Sequence, residues 1–407
     1  MRQEIKKIFS AKFIYVLLAI LIAYFGLHLY NAMSAEKSIY KNAGVKKLIE
    51  DVENSGLSDE EKCEKLQEKK DELFQMDEGN DGQIKGTYGE NINDEISIYG
   101  QVSELANYLY KSFPTDRKNA IREAMYHVDE EQEKNTPNKY VLRSNKLAIS
   151  KYNRVVNLKL KIVGNQDEWY FFFNNTMWDC AYVAFVVMIT VRLFTMDEAE
   201  GTYQMIETCK LGKRRLFFNK LKAITFVSII ILTIQSIIEL VYGITYNGLG
   251  NMNLPLQMFP EYEMCPFHIS IAQFYLIKYL LKIFVSIYIC VFTMFICSFL
   301  KKPLFANLIS LLCMLGMLFL TIAGYVFVHE ADGGRVVTET NAKFYALVRS
   351  VFPTGFFNLR YYFDSFDYVN FFGYPVNRLF LCIIVSIFVV IVGMAIGYKK
   401  NISIRVK

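Results

Sequence analysis

Six apolar runs decide what this chain can be. They fall near residues 13–32, 173–194, 221–246, 270–300, 304–328 and 379–398. Each holds about 20 residues or more, enough at 1.5 Å per residue to cross about 30 Å of hydrocarbon. With 53 % hydrophobic residues in 407, the chain cannot be a string of water-soluble domains. Its fold class is expected to be all-α and polytopic in the membrane, with six transmembrane helices. A mainly helical extracytoplasmic domain is expected between the first and second.

The polar residues fix the orientation. Residues 34–172 carry 21 basic and 26 acidic side chains, leaving 24 basic and 14 acidic for the remainder of the chain. That remaining excess lies in short segments beside the spans, which under the positive-inside rule places both termini and every basic turn in the cytoplasm. It is topology information and not a nucleic-acid footprint, so no nucleic-acid partner is expected. Richness in Lys, Ile, Asn, Phe and Tyr points to an AT-rich bacterial genome, and so to a bacterial plasma membrane.

In chain order, residues 1–33 hold a basic amphipathic helix, with Ile5, Ile8 and Phe9 on one face, and the first span. The basic start and small-residue tail resemble a signal peptide, but the apolar run exceeds an ordinary h-region and is expected to be an uncleaved anchor. Residues 34–172 form the polar domain. Helices are expected around 43–74 with a turn at Asn54-Ser55-Gly56, and again at 96–113 and 119–128. Pro114 and Pro137 are expected to break them. Whether this domain is a spacer or touches substrate is open. Residues 173–407 are expected to form the five-span membrane domain, with an aromatic outer segment at 329–378. In that segment Val351-Phe352-Pro353-Thr354-Gly355 interrupts an apolar stretch.

Residues 197–223, DEAEGTYQMIETCKLGKRRLFFNKLKA, lie between the second and third apolar runs. Acids open the stretch, Thr202 can cap a short helix with Tyr203, Met205, Ile206 and Cys209 as its apolar face, and Gly212 can stop it. Lys213, Arg214, Arg215, Lys220 and Lys222 follow.

This pattern resembles the coupling segment of type-2 ABC transporter permeases. Gly201-Thr202, Ile206, Thr208, Lys220 and Ala223 fall on matching positions. Lys210 stands where the family often has proline, and Lys213 where it often has arginine, for which Arg214 or Arg215 can substitute. The N-terminal Glu4-Ile5-Lys6-Lys7 and the break at 351–355, like the family's broken helices between the fifth and sixth spans, extend the resemblance. An interfacial amphipathic helix is the other reading of that break.

The resemblance implies an ABC exporter's membrane subunit, paired with a second permease copy or a homologue and embedded in membrane lipids. A separate nucleotide-binding ATPase subunit would carry ATP and Mg. The coupling segment, 197–220, would meet it through Glu198, Glu200, Gly201, Thr202, Met205, Ile206, Cys209, Lys213, Arg214, Arg215 and Lys220. The expected cargo is a peptide, lipid-like or amphipathic compound, with antimicrobial peptide export or immunity as one version. The rival reading is a receptor or assembly protein that transports nothing.

The sequence offers no catalysis of its own. Gly212-Lys213 is followed by arginine and lacks a P-loop's upstream glycine. His329-Glu330 has no second histidine, and no G-x-S-x-G occurs. Eight cysteines show no CxxC pairing, and a bridge between Cys63 and Cys265 is open. Gly393 and Gly397 form a G-x-x-x-G, a candidate dimer face.

Glu239, Lys278 and Lys282 lie inside apolar runs, where charge is costly and usually faces protein or water. Either the lysines snorkel outward, or Glu239 pairs with one of them and lines the translocation path or its gate. Phe352, Pro353 and Phe356 are expected to border that path.

Overall fold

The computed structural model describes residues 2–10, 12–35, 43–78, 100, 102–158, 160, 176–199, 212–247, 252–300, 302–329 and 339–403. Among the described residues five helices are long and apolar enough to cross a membrane: α7 (Thr176–Ala199), α8 (Gly212–Asn247), α9 (Ile271–Cys297), α10 (Pro303–His329) and α13 (Arg378–Ser403). The first expected span lies on α2 (Lys12–Ala35), a helix of 24 residues.

α9 is the hub of the bundle, packing against α7, α8, α10 and α13. It begins with a capping box: the Ser270 hydroxyl accepts from the Gln273 backbone N–H at 3.3 Å, and the Gln273 side chain accepts from the Ser270 N–H at 3.0 Å. The short N-terminal helix α1 (Arg2–Phe9) packs on α7 and α8 with Ile8 buried. It therefore serves as a protein contact, beyond the interfacial role its amphipathic pattern suggested.

The polar segment is helical where it is described. α3 (Ala43–Asn54) turns at Gly56, φ +68°, into α4 (Asp59–Glu78), which Ser58 and Glu61 cap reciprocally. Leu66 is fully buried, with Leu48 and Leu105 packed on the same core; the Leu73 side chain lies outside the described residues.

Pro114 does not end a helix. The chain is already helical from Val102, passes through a π-turn at Tyr108–Ser112 in which the Phe113 N–H bonds the Tyr108 carbonyl, and continues into α5 (Phe113–Glu133), so Pro114 follows directly on a register shift in the helix hydrogen-bond ladder. Pro137 does separate α5 from α6 (Lys139–Val155), where Asn138 caps the new helix by accepting from Tyr140 and Val141 N–H groups.

Beyond α10 the chain forms α11 (Glu339–Val351), breaks at Phe352, and makes a buried 3-10 turn over Pro353–Phe357. α12 (Arg360–Phe363) follows, then a hairpin of β1 (Tyr368–Phe371) and β2 (Tyr374–Asn377) running into α13. Its two-residue turn places Phe372 at φ 50° and Gly373 at φ 83°, the geometry that suits the strand twist.

Gly393 and Gly397 are used within the chain. A Cβ on Gly397 would lie 2.6 Å from Met294 Sδ, and one on Gly393 3.4 Å from Val291 Cγ1. The motif lets α13 approach α9 closely, so its small residues are spent on an internal contact and not on a dimer face. Cys63 and Cys265 are both free and buried.

Candidate functional site

The charges predicted to matter in the membrane do come together, with a fourth member the sequence reading passed over. Lys282 Nζ on α9 lies 2.9 Å from Asp179 Oδ1 on α7, and both side chains are almost completely buried. Glu239 on α8 is 5 % exposed and accepts a hydrogen bond from Gln235 Nε2 at 2.8 Å. Lys278, one turn before Lys282, is 3 % exposed and interacts electrostatically with Glu239, Asp179 and Lys282. Two acids and two bases on three spans thus form one balanced set.

Neither lysine snorkels. Lys282 pairs with Asp179 and not with Glu239, correcting one arm of the expectation. Asp179 carried a usable signal, since it is an acid near the start of an apolar run, just as Glu239 is an acid within one.

The broken segment closes over this set. Lys282 Nζ lies 5.9 Å from the Phe357 ring centroid, and Phe357 meets Tyr182 edge-on at 6.3 Å. Phe356 is fully buried against Phe284 at 6.2 Å, while Pro353 is buried and Phe352 half-buried. The break is therefore built into the bundle and does not lie on its surface as an amphipathic helix would. Just past the charges, Tyr182 Oη bonds the Ser228 carbonyl at 3.1 Å and the Ser286 hydroxyl at 2.7 Å. This polar layer links the same three helices.

The coupling segment is described only at its edges. Residues 200–211, with Glu200, Gly201, Thr202, Met205, Ile206 and Cys209, lie outside the described residues, as do the side chains of Glu198 and Lys213. Gly212 is the first residue of α8, so Lys213, Arg214 and Arg215 sit in that helix's opening turns, with Arg214 and Arg215 exposed. Lys220 is buried, its ammonium 5.5 Å from the Phe194 ring. Phe194 and Tyr398 both meet Phe217 edge-on, so α7, α8 and α13 are tied at this end.

At the other end the polar domain is fastened to the loop before α9. Arg117 is fully buried, donates from Nη1 to the Cys265 carbonyl at 3.0 Å, and lies over the Phe113 and Tyr152 rings. Tyr108 Oη donates to the Gln257 carbonyl at 2.9 Å. Burial and the neighbouring Asp116 carboxyl push Glu263 up to about 7. Tyr140 and Arg143 reach the hairpin through the carbonyls of Tyr368 and Gly373.

Among the described residues no group of three or more His, Cys, Asp or Glu side chains could hold a metal.

An α-helical bundle with five long apolar helices among its described residues belongs among polytopic membrane proteins. Its family is specific. The family model described as ABC-2 family transporter protein matches residues 11–399, and the chain belongs to that family. It is thus the permease type of an ABC transporter, a membrane transport component that works with an ATP-binding subunit. No curated protein and no solved structure matches the chain.

Proposed function

We propose that this chain is the permease subunit of an ATP-driven exporter that moves a peptide, lipid-like or amphipathic compound outward across a bacterial plasma membrane. The observation that carries the gate in this reading is the set Asp179, Glu239, Lys278 and Lys282 beneath Phe357. Four charges inside an apolar bundle cost on the order of 2.5–3.5 kcal/mol each on the insertion scale, an expense that structural packing alone does not need. The Asp179–Lys282 pair holds α7 to α9 in the closed arrangement. Rocking of the spans breaks it when water or a polar group of the cargo takes the place of one partner.

A separate nucleotide-binding subunit carries ATP and Mg, grips residues 202–210 and drives the rocking through Met205, Ile206 and Cys209. The basic end of the bundle is cytoplasmic, the polar helical domain extracytoplasmic, and two permease copies or homologues form the working pair.

The test is ATP-driven uptake of a fluorescent amphipathic peptide into inside-out vesicles holding the chain and the ATPase encoded beside it. Ile206→Asp is expected to abolish uptake while the membrane fold stays intact, and Glu239→Gln to reduce it. A variant Ile206→Asp that assembles with the ATPase and transports normally removes the coupling assignment. Unchanged uptake in Glu239→Gln removes the gate alone. A cysteine at Glu60 should react with an impermeant thiol reagent in whole cells; labelling only after lysis inverts the orientation.

A further inference from the structure

The fourth and last spans leave an apolar groove between them that nothing in the transport reading uses. Its cavity volume is about 140 Å³, and it is lined by Tyr288, Phe292 and Phe295 of α9 with Phe388, Val392 and Ile396 of α13. Gly393 makes its floor, because the side chain missing there is what keeps the groove open against Val291 and Phe295.

One wall is a continuous aromatic ladder. Tyr288 stacks on Phe292 at 5.8 Å, Phe292 meets Phe295 at 6.4 Å, and Phe295 meets Phe299 edge-on at 5.1 Å. The ladder ends on a cation: Lys400 Nζ lies 3.3 Å from the Phe299 ring centroid. Lys399 and Lys302 are exposed beside this end. From Tyr288 to the end of α9 at Cys297 the rise is about 14 Å, close to the ~15 Å hydrocarbon depth of one leaflet.

We propose that this groove is a binding site for one anionic phospholipid. An acyl chain lies along the Tyr288–Phe292–Phe295 wall, and the phosphate meets Lys399 and Lys400, with Lys302 adding to the field. The groove is open along its length, wholly apolar within and basic at one mouth, which matches the anatomy of a lipid held by both ends. A second copy fits less well, because a two-fold contact through the same patch would bring two basic mouths together. Placing the site in the inner leaflet rests on the orientation proposed above; the lipid site itself does not.

Native mass spectrometry of the full-length chain, released from phosphatidylcholine nanodiscs containing a minor share of phosphatidylglycerol, tests this. The wild type is expected to retain phosphatidylglycerol in preference to phosphatidylcholine. Lys399→Gln with Lys400→Gln should lower that preference on the order of tenfold, and arginine at both positions should restore it. Val392→Trp fills the groove and should remove the retained lipid whatever its headgroup. An unchanged preference in the double glutamine variant overturns the proposal. So does a Val392→Trp chain that keeps its lipid, and if that chain also shifts from dimer to monomer, the groove is a protein interface instead.

Discussion

Two of the places where the described residues bury charge do so by opposite means. In the bundle, Asp179, Glu239, Lys278 and Lys282 balance one another, and the close Asp179–Lys282 contact replaces lost hydration with a counter-charge. At the junction of the polar domain, Arg117 is just as buried but is held by two aromatic faces and a carbonyl. The junction can tolerate this because a guanidinium is weakly hydrated and stacks well on rings. An ammonium is more strongly hydrated, and Lys282 in the bundle takes a carboxylate as its close partner. A balanced set can exchange partners during motion, whereas a stacked arginine is a fixed rivet. The contrast predicts motion in the bundle and rigidity at the junction.

The largest effect should come from splitting the buried pair. Asp179→Asn leaves Lys282 without its counter-charge and should destabilise the chain by about 3–5 kcal/mol, read as a lowered unfolding midpoint in detergent. Adding Lys282→Met should recover most of that loss. A stable Asp179→Asn chain would erase the contrast between the two regions.

Next comes the rivet. Arg117→Met removes two cation–π contacts and one hydrogen bond, together worth about 2 kcal/mol. The expected readout is faster proteolysis within residues 43–155 with the bundle still intact. Equal loosening of both regions would show that they unfold as one unit.

A double-mutant cycle on Glu239→Gln and Lys278→Gln measures whether the set is truly shared across three spans. A coupling of about 1 kcal/mol is expected in the detergent unfolding midpoint. Strict additivity would reduce the set to the Asp179–Lys282 pair.

The smallest effect is a pH dependence confined to the junction. Glu263 has an ordinary value of 4.5 and is pushed up to about 7 by burial and by Asp116. The folded chain therefore keeps a proton there that the unfolded chain releases. The contact's contribution is complete below about pH 4.5 and fades as pH rises to about 7. Proteolytic protection of the junction should decline over that window, and Glu263→Gln should flatten the decline.

Much of this was legible beforehand. The apolar runs beyond residue 173 became five long helices, and Asn54-Ser55-Gly56 became a turn. The break at Phe352-Pro353 became a real interruption, because proline cannot continue the helix hydrogen-bond ladder. Local chemistry misled at Pro114, which was expected to break a helix and instead sits within a helical run just after a π-turn. The π-turn absorbs the proline by shifting the hydrogen-bond register, and the local pattern gave no sign of that shift.

Span length, charge bias and capping are properties of contiguous residues, so the sequence by itself determined the membrane class, the number of long apolar helices after the polar segment and the family. The partner of Lys282 was decided only in three dimensions. Asp179 and Lys282 lie 103 residues apart in sequence and meet because the packing of α7 on α9 brings them to one level in the bundle. The same holds for Gly397, whose packing against Met294 depends on the rotation of α13 about its own axis. Vertical offset and rotation come from how many side chains pack at once, a sum over the whole bundle that no single stretch of sequence contains.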